Sequence, residues 1–366
     1  MLTEAPSEKS DEDLDISRAD SVSSSSAPIL TASTSCSNRT TQTEGLFSDG
    51  SIHCDDEALK KGQILVSIHH AVCSRSEESL LSRNTSSSAI ANPILSPTSY
   101  NAINSSQIDI IGGPGPPTPS KLNRPFENVS FSDAFYNPSL IFPRTPLNPV
   151  GHRRASIKDI MEDWRRVFVL YSDWLLQLTE FRQLCKDDQL IVAKSRFAAF
   201  HWWVCGLWTL DSQKDGICYS NGSYFPKNET EQCIPDLQNV TQKLLTHFVE
   251  PLKDLGLTDV ERCALFVIAL FNDDLPISQK GHEQMRKSRE KFTRVIFNSA
   301  VSETIKSLGV PIDNPFVYQR VHSIAAVRLS KISILAGILT SQSNCTSHGI
   351  LSDILYVVNW NPDHPN

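Results

Sequence analysis

Residues 181–194 read FRQLCKDDQLIVAK, a cluster of Lys186, Asp187, Asp188 and Gln189 set between apolar runs. Three readings compete: a catalytic carboxylate pair, a metal site, or the corner between two helices that stay buried. Neighbouring residues on a helix point about 100° apart, so adjacent acids do not face one substrate. Acids in a first turn do suit the positive end of a helix dipole. The cluster therefore reads as the start of a helix from Asp187 to about Leu210, nearly all apolar after Phe197. A helix that is apolar on every side belongs at the centre of a layered core.

Upstream, Trp164, Phe168, Tyr171, Leu175 and Leu178 fall at spacings of four, three, four and three, which is one face of a long helix. Downstream, residues 215–228 (DGICYSNGSYFPKN) predict a hairpin about Asn221-Gly222, a pair suited to a type I′ turn. Asp236 to Leu255 is amphipathic and stops at Gly256. Thr258-Asp-Val-Glu261 is a capping box that opens a second buried helix, CALFVIALF (263–271). Residues 279–307, 315 to 339 and 352–358 complete the helical set. Two helices too apolar for a surface call for an all-α, three-layer antiparallel helical sandwich carrying one small β-hairpin.

That domain is expected over residues 155–366, after a linker at 126–154. Residues 1–125 are serine-rich and lack a sustained period, so disorder is expected there, with a transient helix at 55–72. The run IGGPGPPTPSK (111–121) lacks the Gly-Lys-Ser/Thr ending of a phosphate loop. Ser96-Pro97, Thr118-Pro119 and Ser156 after Arg153-Arg154 are candidate kinase targets.

The net charge of −7 lies wholly in residues 1–150, which hold seventeen acidic against ten basic side chains. That half lacks the cations that phosphate contact requires. Nine cysteines occur without a Cys-x2-Cys pair, so free thiols are expected rather than a zinc module or redox dithiol. The polar N-terminus is not a secretory signal. The longest strongly apolar run, Phe197 to Leu210, is too short to span a bilayer. No metalloprotease, nucleophile-elbow, Walker or dinucleotide motif appears. Neither an enzyme, a metal nor a cofactor is expected.

Residues 173–197 (DWLLQLTEFRQLCKDDQLIVAKSRF) resemble the signature of nuclear hormone receptor ligand-binding domains. Trp174, Phe181, Leu184, Asp188, Gln189 and Lys194 match it without a gap. The hairpin at 217–226 falls where that family has one, and Glu261 and Arg328 fall on its buried acid and arginine. The style of residues 144–174 resembles the expanded nematode branch.

The resemblance implies a nuclear transcription regulator with an apolar ligand cavity, a dimer partner and coregulator proteins. Met161, Trp164, Val167 and Phe168 on the family's third helix would line the cavity. Ala198, His201, Trp202, Cys205 and Trp208 on its fifth would join them, with Tyr224 and Phe225 of the hairpin. The coregulator groove would use Val169, Leu176, Gln189, Leu190, Ala193 and Lys194. The dimer surface would use Val321, Ile324, Arg328, Ile332 and Leu335. Val167 and Trp208 stand where steroid-type receptors carry their charged ligand anchors, so the expected ligand is an uncharged lipophile, or none if the tryptophans fill the space. Leu176 replaces the groove's clamp lysine, and the zinc DNA-binding modules and final activation helix are expected to be missing. Docking of an LxxLL helix by the usual two-ended clamp, direct nucleic-acid binding and membrane attachment are therefore not expected. The alternative is a ligand-less interaction scaffold or dominant-negative dimer partner.

Overall fold

A computed structural model describes residues 55–76, 129–309, 315–343, 346 and 348–360. All fall within one unit, Gly50–Asn366. Most of the expected disordered region, including the 111–121 run and the sites at Ser96 and Thr118, lies outside them.

The long helices are α1 (Asp56–Cys73), α3 (Ile157–Leu175), α5 (Lys186–Ser212), α8 (Asp259–Leu270), α9 (Gln279–Leu308) and α10 (Pro315–Ser343). Short helices α2 (Phe131–Tyr136), α4 (Thr179–Arg182), α6 (Val240–Leu244), α7 (Glu250–Leu255) and α11 (His348–Leu355) join them. Helix α5 packs between α3 and α10, while α8 and α9 each pack between α1 and α10. That is the expected sandwich: α1 and α3 outside, α5, α8 and α9 in the middle, and α10 opposite.

The ends follow local chemistry. Ser156 and Asp159 cap α3 reciprocally, as Thr258 and Glu261 cap α8. Arg153 forks onto the Asp159 carboxylate at 2.6 and 2.7 Å. Hydrogen bonds from Arg153 and Ser156 hold that carboxyl well below its ordinary range despite the cost of burial. The Ser156 hydroxyl also donates to Asp159 at 2.7 Å, so a phosphate there would meet a carboxylate instead of a vacant helix end. Between α6 and α7 the chain makes a π-turn at Leu245–Val249. This extra residue accommodates Pro251, which has no N–H to donate.

The opening cluster is a corner. Asp187 is exposed; Asp188 is buried and accepts from the Ser278 N–H at 2.9 Å and its hydroxyl at 2.6 Å. Ser278 in turn caps α9. One carboxylate thus starts α5 and pins the start of α9. Gln189 closes the corner by donating to the Leu184 carbonyl at 2.8 Å.

Four expectations change. Helix α1 is a docked part of the fold: Leu65 and Val72 are buried, and Lys61 pairs with Glu180 at 2.8 Å. A Cβ at Gly62 would lie 2.7 Å from Val260 Cγ1, so glycine permits this close approach. Residues 129–154 are more than a linker, since Phe131 and Phe135 enter the core and β2 (Arg153–Arg154) joins the hairpin sheet. Strand β2 runs parallel to β4 (Ser223–Pro226), which pairs antiparallel with β3 (Gly216–Cys218). The hairpin exists, but only Gly222 has positive φ and Asn221 does not, so its turn is not type I′. Helix α10 from Phe316 to Ser343, not the Phe197–Leu210 run, is long and apolar enough to cross a membrane by length and composition; here it packs on α5, α8 and α9.

Candidate functional site: an aromatic core and its flanking groove

The apolar stripe of α3 meets the all-apolar middle of α5, because burial of both faces at once removes the most apolar surface from water. Trp164 stacks on His201 with ring centres 3.5 Å apart and planes 7° apart. Trp202 and Phe197 meet the Trp164 ring edge-on at 5.5 and 5.6 Å, and Phe168 meets Phe197 at 5.3 Å. Such edge-to-face pairs suit the ring quadrupoles. Val167, Ala198 and Cys205 are also buried here, with Phe225 at the hairpin end. Met161, Trp208 and Tyr224 are half-buried. Trp164, Phe168, His201 and Trp202 thus form one ring cluster with Phe197, in a core shared by Val167, Ala198, Cys205, Phe225 and the edge of Trp208. Four clefts of about 340 to 440 Å³ lie at the surface, and none takes a wall from the eleven expected cavity residues.

Sequence reading missed Asp163. Its carboxylate is fully buried and accepts from His201 Nε2 at 2.8 Å. It also accepts from the Ser220 N–H at 2.7 Å and hydroxyl at 2.5 Å, which ties α3 to the hairpin. Burial keeps the His201 pKa below its ordinary value, against the pull of this carboxylate. Cys205 completes a trio of possible metal-ligating groups within 4.8 Å. A tetrahedral zinc with ligand bonds of roughly 2.0–2.1 Å would hold two such ligands about 3.3 Å apart. The 2.8 Å spacing is that of a hydrogen bond, and burial raises the Cys205 thiol well above its ordinary pKa. The trio is a polar core network.

The groove residues divide. Val169 and Ala193 are sealed inside, and Leu176 is half-buried against the core. Gln189, Leu190 and Lys194 lie beside α2 rather than open solvent. Tyr136 donates to Gln189 Oε1 at 3.1 Å, Lys194 Nζ stands 5.5 Å from the Phe131 ring centre, and Leu190 shares a small cleft with Phe131 and Tyr136. Burial lowers the Lys194 pKa.

The expected dimer residues also divide. Val321, Ile332 and Leu335 point inward. Arg328 clasps the Glu261 carboxylate at 2.6 and 2.8 Å and donates to the carbonyls of Leu255 and Gly256. Ile324 remains outside, joined there by Val327 and Ile334. The apolar outer stripe is thus offset from the expected one.

The last helical piece follows α10, at His348–Leu355 rather than at 352–358. Helix α11 packs on α3 through buried Leu351 and Leu355. Arg165 of α3 donates to the Ile354 carbonyl at 2.7 Å and lies over the Tyr356 ring. Strand β5 (Val357–Val358) then pairs in parallel with β1 (Val129–Ser130).

Residues 149–303 match the family model for the ligand-binding domain of nuclear hormone receptor. The chain is 34% identical to Nuclear hormone receptor family member nhr-61 of Caenorhabditis elegans over 238 residues, 62% of this chain and 53% of that protein. It is 24% identical over 234 residues to family member nhr-4 of the same organism, 64% of this chain and 44% of that one. It therefore spans about half the length of the curated relatives it matches. Over residues 149–303 the helical domain is thus similar to nuclear hormone receptor ligand-binding domains. Within that class its matched relatives are nematode receptors.

Proposed function

We propose that this chain regulates transcription in the nucleus through protein partners, and that its lipophilic site is filled by its own side chains. The observation that carries this is the Trp164–His201 stack at 3.5 Å, held from beneath by Asp163. A ligand in that region would have to displace stacked rings and break a buried hydrogen-bond network, an expensive exchange. No catalysis is assigned to the domain. Its partner face is the outer stripe of α10, where Ile324, Val327 and Ile334 stand exposed in a row; exposed apolar rows of this kind are characteristic of interfaces. The partner is another receptor of the family or a second copy.

The second reading is a receptor for an uncharged lipophile. It is favoured by Trp208, which is half-buried and packed against the same core. Native mass spectrometry on the purified full chain, with light scattering, separates the two. The proposal expects no co-purifying lipid, and a dimer lost on Val327→Asp with Ile334→Asp. A stoichiometric lipophile would overturn the filled-site reading, and a size indifferent to the substitutions would overturn the α10 face.

A further inference from the structure

Helix α2 reads FSDAFY, with Phe131, Ala134 and Phe135 at positions i, i+3 and i+4. All three are at most 1% exposed, so a six-residue helix buries its whole apolar face in one place. Phe131 lies edge-on to Phe168 of α3 and beneath Lys194 of α5. Phe135 meets Tyr171 of α3 at 6.5 Å and Phe181 of α4 at 5.8 Å. Tyr136 donates to Gln189 of α5. The segment is clasped by the corner that α3, α4 and α5 build, much as an amphipathic helix from a partner lies in a groove.

The C-terminal segment latches it. The β1–β5 pairing fixes the two residues before α2, and Trp360 meets the Phe131 ring edge-on at 4.9 Å. Ser130 caps α2 by accepting from the Asp133 N–H at 3.1 Å. A helix this short does not persist alone in water, so docking is what holds it in shape.

We propose that α2 is an intramolecular occupant of the α3–α4–α5 groove, an autoinhibitory plug that excludes a partner helix with the same apolar spacing and is latched by β5 and Trp360. The proposal rests on reading that groove as a partner-docking face. Opening requires release of residues 129–136, so partner access is coupled to the order of the C-terminal strand.

The test uses the full chain and a labelled synthetic peptide copying residues 127–142, read by fluorescence anisotropy, with an LxxLL peptide as a second probe. Phe131→Ala with Phe135→Ala empties the groove, and the copied peptide should bind this variant at least about tenfold more tightly than wild type. Binding of the copied peptide but not the LxxLL peptide would leave the plug standing and refute the partner-helix reading. Failure of both peptides on a folded variant, or equal binding to wild type, would overturn the plug. If the double variant does not fold, Ser130→Ala with Tyr136→Phe weakens the cap and the Gln189 bond without touching the core. It should gain severalfold for the copied peptide, and no gain would overturn the proposal.

Discussion

Replacing Trp164 with alanine asks directly whether side chains fill the lipophilic site. Trp164 is 6% exposed and touches His201, Phe197 and Trp202 ring to ring. A buried Trp→Ala change costs about 3–5 kcal/mol through lost transfer energy and the cavity left behind. The stacked and edge-on partners place this site toward the upper half, because aromatic pairs add about 0.5–1.5 kcal/mol beyond burial. For a domain of this size each kcal/mol moves the melting temperature by about 2–4 °C, so a cost of about 4 kcal/mol lowers it by about 8–16 °C. The void is apolar except where Asp163 and His201 face each other, and indole matches the missing group. Indole at a hundredfold excess over its Kd restores about 2.7 kcal/mol. The variant, unlike wild type, should also acquire lipophiles from a cell extract. Thermal melts with and without indole provide the assay. A loss below about 1 kcal/mol, or a melt indifferent to saturating indole, would mean that Trp164 does not fill the site and that the cavity is elsewhere.

Arg328→Met leaves the Glu261 carboxylate, whose side chain is wholly buried, without its countercharge, and should cost about 3–5 kcal/mol. Adding Glu261→Gln should recover most of that in the same melt; a double variant as weak as the sum of the singles would contradict it. His69 packs against Trp203 at 5.3 Å, and burial, then repulsion from His70, lowers its pKa from 6.5 to about 4. The unfolded chain therefore binds a proton there at higher pH than the folded one. Stability falls as pH drops from 6.5 to about 4, by up to about 3 kcal/mol, and levels off below. His69→Phe should flatten that segment of a urea-midpoint profile, and an unchanged profile would reject the assignment. Gly62→Val pushes a side chain into Val260 and Val295, an overpacking worth about 1–3 kcal/mol. Hydrogen exchange should rise over residues 56–73 while α8 stays protected; uniform protection would show that α1 docks some other way.

The sandwich was legible in the sequence because its middle layer has to be apolar on all sides. The runs after Phe197 and around CALFVIALF declared this without reference to any partner. The capping box at Thr258 and the corner at Asp187-Asp188 were legible for a related reason: a helix start is a local problem, solved within four residues. Helix α1 was harder to read. Its buried positions, Ala58, Gly62, Leu65 and Val72, keep a helical spacing, but two of the four are alanine and glycine, so the stripe carries little hydrophobic signal. What makes it part of the fold is close backbone approach, and small residues signal that only when the facing helix is known. Residues 131–136 escaped notice on length: six residues offer too few periods to count.

The functional residues divide by the same rule. Trp164 and His201 came from the third- and fifth-helix positions of the family resemblance, but whether they line a cavity or fill one depends on ring orientation, which spacing does not encode. Asp163 left no signal, since a lone acid on an amphipathic helix normally faces water. Its role comes from Ser220, fifty-seven residues away, which turns a solvated group into a buried anchor. The dimer stripe slipped for a geometric reason. The resemblance placed Arg328 on the dimer surface, but its guanidinium reaches inward to Glu261. Counting from Arg328 as an outward residue rotates the whole helix and puts Val321, Ile332 and Leu335 outside. Counting from it as an inward residue leaves Ile324, Val327 and Ile334 there instead. One buried ion pair thus fixes which face of α10 can meet a partner.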